Sequence, residues 1–68
     1  MKMYDVLKLI HEGELVLVSY KVNGDLITDE YTFVTYDVSG DSIVVRLKEL
    51  ALFIPVEDIQ SIKVLGDD

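Results

Sequence analysis

The residues able to do covalent or acid–base chemistry are few and scattered. His11 is the only imidazole, and the chain holds no cysteine. Ser19, Ser39, Ser42 and Ser61 fall in strand-like or turn-like stretches with no base beside them, so a nucleophile–base pair lacks its second member. His11 comes where a helix is expected to end, and capping with the helix dipole accounts for it. One histidine and no thiol are too few ligands for a structural zinc site. Acids stand in adjacent pairs, Asp29-Glu30, Glu57-Asp58 and Asp67-Asp68. Strand neighbours point to opposite faces, so such a pair shares a ligand only if a bulge rotates one member. "DVSGD", Asp37 to Asp41, sets two aspartates around a glycine turn but lacks the ligand series and closing glutamate of a calcium loop. Turn capping explains those aspartates. No catalytic residue, cofactor or metal is expected, and the chain does not read as an enzyme.

The aromatic residues could bind without catalysing. They are Tyr4, Tyr20, Tyr31, Phe33, Tyr36 and Phe53. Aromatics on a small β fold stack on nucleic-acid bases when a basic groove accompanies them. Here Lys2, Lys8, Lys21, Arg46, Lys48 and Lys63 are dispersed, against 13 acids and a net charge of −7. Such a balance repels phosphate backbones and anionic lipid surfaces. Nucleic acid and membrane are therefore not expected partners; a protein is. Phe33 and Phe53 are expected in the core with the tyrosines at its rim. Tyr31 and Phe33 share a strand face, and Tyr36 takes the other unless a bulge intervenes. Tyrosine suits protein interfaces, which makes Tyr20, Tyr31 and Tyr36 candidate contacts. Leu52 and Ile54 join them from the strip "ELALFIPV", whose backbone at a sheet edge would be a template for strand addition.

The elements that would carry these residues are short. Met3, Val6, Leu7 and Ile10 make one helical stripe and Gly13 a C-terminal stop, predicting a helix over 2–12. In "ELVLVSYKV", Val16, Val18, Tyr20 and Val22 form one face at period two. Asn23-Gly24 is a hairpin signal, since both central residues of a type I′ turn need positive φ. "DLITDEYTFVTYDV" is long, and Asp29-Glu30 interrupts it, predicting a bulge or bend near Asp29. "VSGD" turns the chain into "SIVVRLK". "ALFIPV" is a continuous apolar run, expected to be covered on both faces, although Pro55 ends the strand or sets it at an edge. "PVED" reads as one helical turn and "IQSIKVL" as the last strand.

Sixty-eight residues make one domain, 1–68: helix 2–12, small β-barrel 14–65 and tail 66–68. The fold class is mainly β, a short N-terminal α-helix followed by a five-stranded, strongly bent antiparallel SH3-like barrel. Half the residues are hydrophobic, which is much for a chain with so little interior. Apolar surface is therefore expected to meet another subunit or partner.

"YTFVTYD", Tyr31 to Asp37, resembles the core of the first Sm motif, with Phe33, Tyr36 and Asp37 at its apolar pair and aspartate. "DSIVVRL" resembles the strand that follows. "FIPVEDIQSIKV" is similar to the last two strands of an Sm-like or YolD-like small barrel, joined by a one-turn helix. The resemblance implies an Sm-like barrel that assembles into rings or dimers. Tyr31 stands where the motif has glycine, and "PVED" occupies the region of the second motif's arginine–glycine pair. RNA binding through the family's pocket is not implied.

Together these features predict a non-enzymatic small barrel that works by protein–protein contact, as a homo-oligomer. An acidic, nucleic-acid-mimicking inhibitor of a basic enzyme is the alternative, and Sm-like RNA binding through an altered pocket a further one. "MKMYDVLKLIHEG" lacks the uninterrupted apolar run and cleavage site of a signal peptide, so a cytoplasmic protein is expected.

Overall fold

The computed structural model describes residues 3–66. A short helix α1 (Met3–Leu7) precedes strands β1 (Leu15–Val22), β2 (Asp25–Asp37), β3 (Ser42–Leu47) and β4 (Leu50–Pro55). A 3₁₀ turn (Val56–Asp58) then leads into β5 (Ile59–Val64). All the pairings are antiparallel, and the sheet order is β4-β3-β2-β1-β5. The chain is thus mainly β, one five-stranded sheet with a small helix. β4 and β5 each have a strand neighbour on one side only, so the sheet is open.

The helix is shorter than its apolar stripe. It ends at Leu7, and the next bonds tighten to i→i−3, from Leu9 N–H to the Val6 carbonyl at 3.0 Å and Ile10 N–H to Leu7 at 3.4 Å. So short a helix has little stability of its own; burial of Leu7 and Ile10 in the core holds it. The chain must then reach the sheet, where Gly13, at φ 95°, donates its N–H to the Phe33 carbonyl at 2.8 Å. Lys2 lies outside the described residues, as do Asp67 and Asp68 of the expected tail.

Val16, Val18 and Tyr20 face inward from β1 as their alternation predicts, while Val22 emerges into solvent. Asn23 (φ 52°) and Gly24 (φ 88°) form the β1–β2 turn, with Val22 opposite Asp25. Residues 25–30 of β2 are exposed throughout, although Asp29 and Ile27 pair with buried Val18 and Tyr20; the tip of the hairpin, Lys21–Leu26, is exposed on both strands.

The bulge expected near Asp29 lies elsewhere. β1 and β2 pair without interruption through Asp29 opposite Val18. The register instead shifts against β3 between Phe33 and Thr35, leaving Val34 as the extra residue. Asp29 stands opposite buried Val18 yet is itself exposed, and its carboxylate accepts from the Glu30 N–H at 2.8 Å, so the strand stays regular there. The Val34 bulge returns Tyr36 to the inner face, opposite buried Ile43, so Tyr31, Phe33 and Tyr36 all point the same way. A second irregularity, at Gln60, bends β5 against β1 between Ser19 and Tyr20.

β4 is an edge strand and is not covered on both faces. Phe53 is 68% exposed and Leu50 69%. The phase of its ladder follows from one bond: Val56 N–H donates to the Asp41 carbonyl at 2.9 Å, one step beyond the Ser42–Pro55 pair. Alternation then makes Ile43–Ile54, Val45–Leu52 and Leu47–Leu50 the hydrogen-bonded pairs. The backbone polar groups of Ala51, Phe53 and Pro55 therefore face away from β3, towards the open edge, and Pro55 has no N–H to offer there. Likewise, Leu65 N–H donates to the Leu15 carbonyl at 2.9 Å, which sets Ile62 and Val64 facing outward along β5.

Candidate functional site: the open edge of β4

The five candidate contact residues do not form one surface. Tyr20 and Tyr31 are buried, at 7% and 3% exposure, and Ile54 is buried with them. Leu52 and Tyr36 are half-buried and pack against the core. Tyr20 and Tyr31 are core residues because their hydroxyls satisfy each other at 2.6 Å, with ring centroids 6.2 Å apart. Paired in this way, two phenols can be buried without an orphaned polar atom. The most exposed aromatic is Phe53, at 68% against 43% for Tyr4, although it is expected in the core. Its outward position follows from period two: Leu52 and Ile54 point inward beside β3's Val45 and Ile43, so Phe53 between them points away.

A second polar cluster ties the helix to the sheet. Tyr4 donates its hydroxyl to Asp41 Oδ2 and Tyr36 donates to Asp41 Oδ1, each at 3.1 Å. The bond to the Asp41 carboxylate pushes the Tyr4 pKa up. Desolvation, with the same aspartate, raises that of Tyr36. Asp41 occupies left-handed backbone, at φ 51°. Asp37 caps the same turn, accepting from Ser39 Oγ at 2.9 Å and Gly40 N–H at 3.3 Å. Both carboxylates thus have structural work as acceptors, and no set of three or more potential metal ligands gathers among the described residues. His11 is exposed and belongs to a tight turn beyond the helix. Its backbone N–H donates to Glu14 Oε1 at 2.6 Å, and its ring Nδ1 lies 3.6 Å from the same oxygen.

Two of the hollows among the described residues bear on the sheet edges. One, of about 360 Å³, is lined by Glu12, Gly13, Glu14, Leu15, Val64, Leu65 and Gly66. Among the described residues its lining holds two carboxylates and no cation. The other, of about 570 Å³, lies at the β3–β4 turn between Leu47, Lys48, Glu49 and Leu50 and opens beside β4. Around it an uncharged run from Leu50 to Val56 carries exposed Leu50, Ala51, Phe53 and Pro55. An open row of backbone groups beside bare apolar side chains is what strand addition requires. The signal for this site was present in the sequence: an apolar run interrupted by a proline suits an edge better than a covered interior strand.

No helix among the described residues is long and apolar enough to cross a membrane. Compared with protein-family models, with curated proteins and with solved structures, the chain matches none.

Proposed function

We propose that this chain is a non-enzymatic small β domain that acts through protein–protein contact and associates with itself through an open sheet edge. The observation that carries this reading is β4: an uncharged edge strand with Phe53 and Leu50 each more than two-thirds exposed. Leaving such an edge bare invites pairing with another chain, and proteins that avoid it place charge or a bulge there. β4 has neither; its one defence is Pro55 at its end. The bent five-stranded sheet, with β4 and β5 at opposite edges and a 3₁₀ turn between them in sequence, suits a small SH3-like or Sm-like barrel whose edges are filled by neighbours.

The acids offer less support for a nucleic-acid mimic. Among the described residues they are distributed over α1, the 11–14 turn, β2, both following turns and the 3₁₀ turn; β2 holds four, Asp25, Asp29, Glu30 and Asp37, spread along its thirteen residues. The cations are equally dispersed, which leaves RNA binding without a groove.

Sedimentation equilibrium from about 1 to 500 µM tests the reading, since an edge contact of this length sits at the small end of specific interfaces. Mass rising above the 7.7 kDa protomer is expected. A constant protomer mass over that range would refute self-association.

A further inference from the structure

We infer that two copies of the chain join by laying β4 against β4, antiparallel, about a two-fold axis at Leu52. This rests on the self-association reading and gives it an edge, a symmetry and a register.

The open edge presents N–H and C=O from Ala51 and from Phe53, and only C=O from Pro55. Setting Ala51 opposite the partner's Phe53 makes four hydrogen bonds, because the two-fold repeats each pair. Every outward donor and acceptor of both residues is then used. A shift of the register towards Pro55 leaves the Ala51 carbonyl facing a residue with no N–H. The opposite shift runs Phe53 into the turn at Glu49.

The side chains fit the same register. On the outer face, Phe53 meets the partner's small Ala51, and this happens twice. Arg46 is the β3 neighbour of Ala51 on that face, within cation–π reach of the partner's Phe53 ring. On the inner face, bare Leu50 comes opposite the partner's Ile54, and Leu52 meets the partner's Leu52 on the axis.

Charge selects the antiparallel direction. The chain carries a net −7 and repels its copy at long range, but Leu50 to Val56 is uncharged. One end of that run is flanked by Lys48 and Glu49, neutral together, and the other by Glu57 and Asp58. An antiparallel pair keeps the two acidic ends at opposite extremes; a parallel pair would set them side by side. Unlike a β4-to-β5 junction, which propagates from copy to copy, this contact closes at two.

The chain has no native cysteine, so Leu52→Cys tests the axis directly. Residues facing each other in a non-hydrogen-bonded antiparallel pair have Cα atoms about 4.5 Å apart, within disulfide reach. Under mild oxidation Leu52→Cys should give a covalent dimer, and Ile62→Cys on the β5 edge should not. Because Leu52 is half-buried, Phe53→Lys at an exposed site is the second variant. It should keep the native circular dichroism and weaken the dimer at least about tenfold, since the ring is lost twice.

The outcomes separate. If the wild type sediments as an oligomer but Leu52→Cys cross-links only when mixed with Ile62→Cys, the junction is β4 to β5; the two-fold inference then falls and self-association stands. The same holds if Phe53→Lys leaves the oligomer unchanged. If the wild type is a protomer at every concentration and Leu52→Cys stays uncross-linked, both fall.

Discussion

The hydroxyls of Tyr20 and Tyr31 meet 2.6 Å apart inside the sheet's inner face, four residues out of register across the β1–β2 pair. The twist of the hairpin brings the two together although Tyr20 is paired with Ile27 and Tyr31 with Val16. Burial, then the Tyr20 hydroxyl, raises the Tyr31 pKa well above that of free tyrosine. That pair makes the fold sensitive to base.

In the unfolded chain Tyr31 ionises near the ordinary tyrosine value of about 10, while in the folded chain it keeps its proton to higher pH. The folded state therefore binds more protons in that window, and stability falls as pH rises. The stabilisation is complete below about pH 10 and is lost progressively above it. Thermal unfolding between pH 8 and 11.5 should show the midpoint dropping in the upper part of the range, and Tyr31→Phe should flatten that drop.

Removing one hydroxyl of the pair strands the other in the core. Tyr20→Phe and Tyr31→Phe should each cost about 1–3 kcal/mol. The double variant should cost clearly less than the sum, because it leaves nothing unsatisfied. Urea unfolding of the four proteins measures the coupling; strict additivity would mean that the hydroxyls do not depend on each other.

Asp41 anchors α1 through Tyr4 and the end of β2 through Tyr36. Asp41→Ala removes both acceptors and places alanine at positive φ. Loss of about 1–2 kcal/mol is expected, with amide exchange accelerating at Lys8, Leu9 and Ile10 more than in β1. Equal acceleration in both would show that the helix is not held separately from the sheet.

Gly24 lies at φ 88° with nothing within 4 Å of an added Cβ. The cost of Gly24→Ala is then backbone strain alone, about 1 kcal/mol, read as a lower denaturation midpoint at unchanged slope. An effect near zero would mean that the turn relaxes to another type.

Local chemistry made several of these features legible beforehand. Asn23-Gly24, the inward set Val16, Val18 and Tyr20, and the one-turn helix after Pro55 all follow from spacing and turn residues, which act over a few positions. The misplaced features depend on distant partners. Asp29 stays exposed opposite buried Val18 and pairs regularly, and the extra residue falls instead at Val34, where β2 pairs with β3. Tyr20 and Tyr31 are buried because each satisfies the other, a pairing that ten residues of intervening sequence conceal. Phe53 is expected inward, but pairing of Leu52 and Ile54 with buried Val45 and Ile43 sets them inward, and period two turns Phe53 out between them. Helix periodicity ran to Ile10, but the chain's need to reach β2 at Gly13 ended regular helix at Leu7.

Amide exchange along β4, followed as the protein is concentrated, addresses the open edge most directly. The Ala51 and Phe53 N–H groups have no partner within the sheet's β3–β4 ladder. Pairing with a second β4 should slow their exchange progressively with concentration, while Ile62 and Val64 on β5 stay fast. Free-chain exchange rates at Ala51 and Phe53 at every concentration would contradict the account.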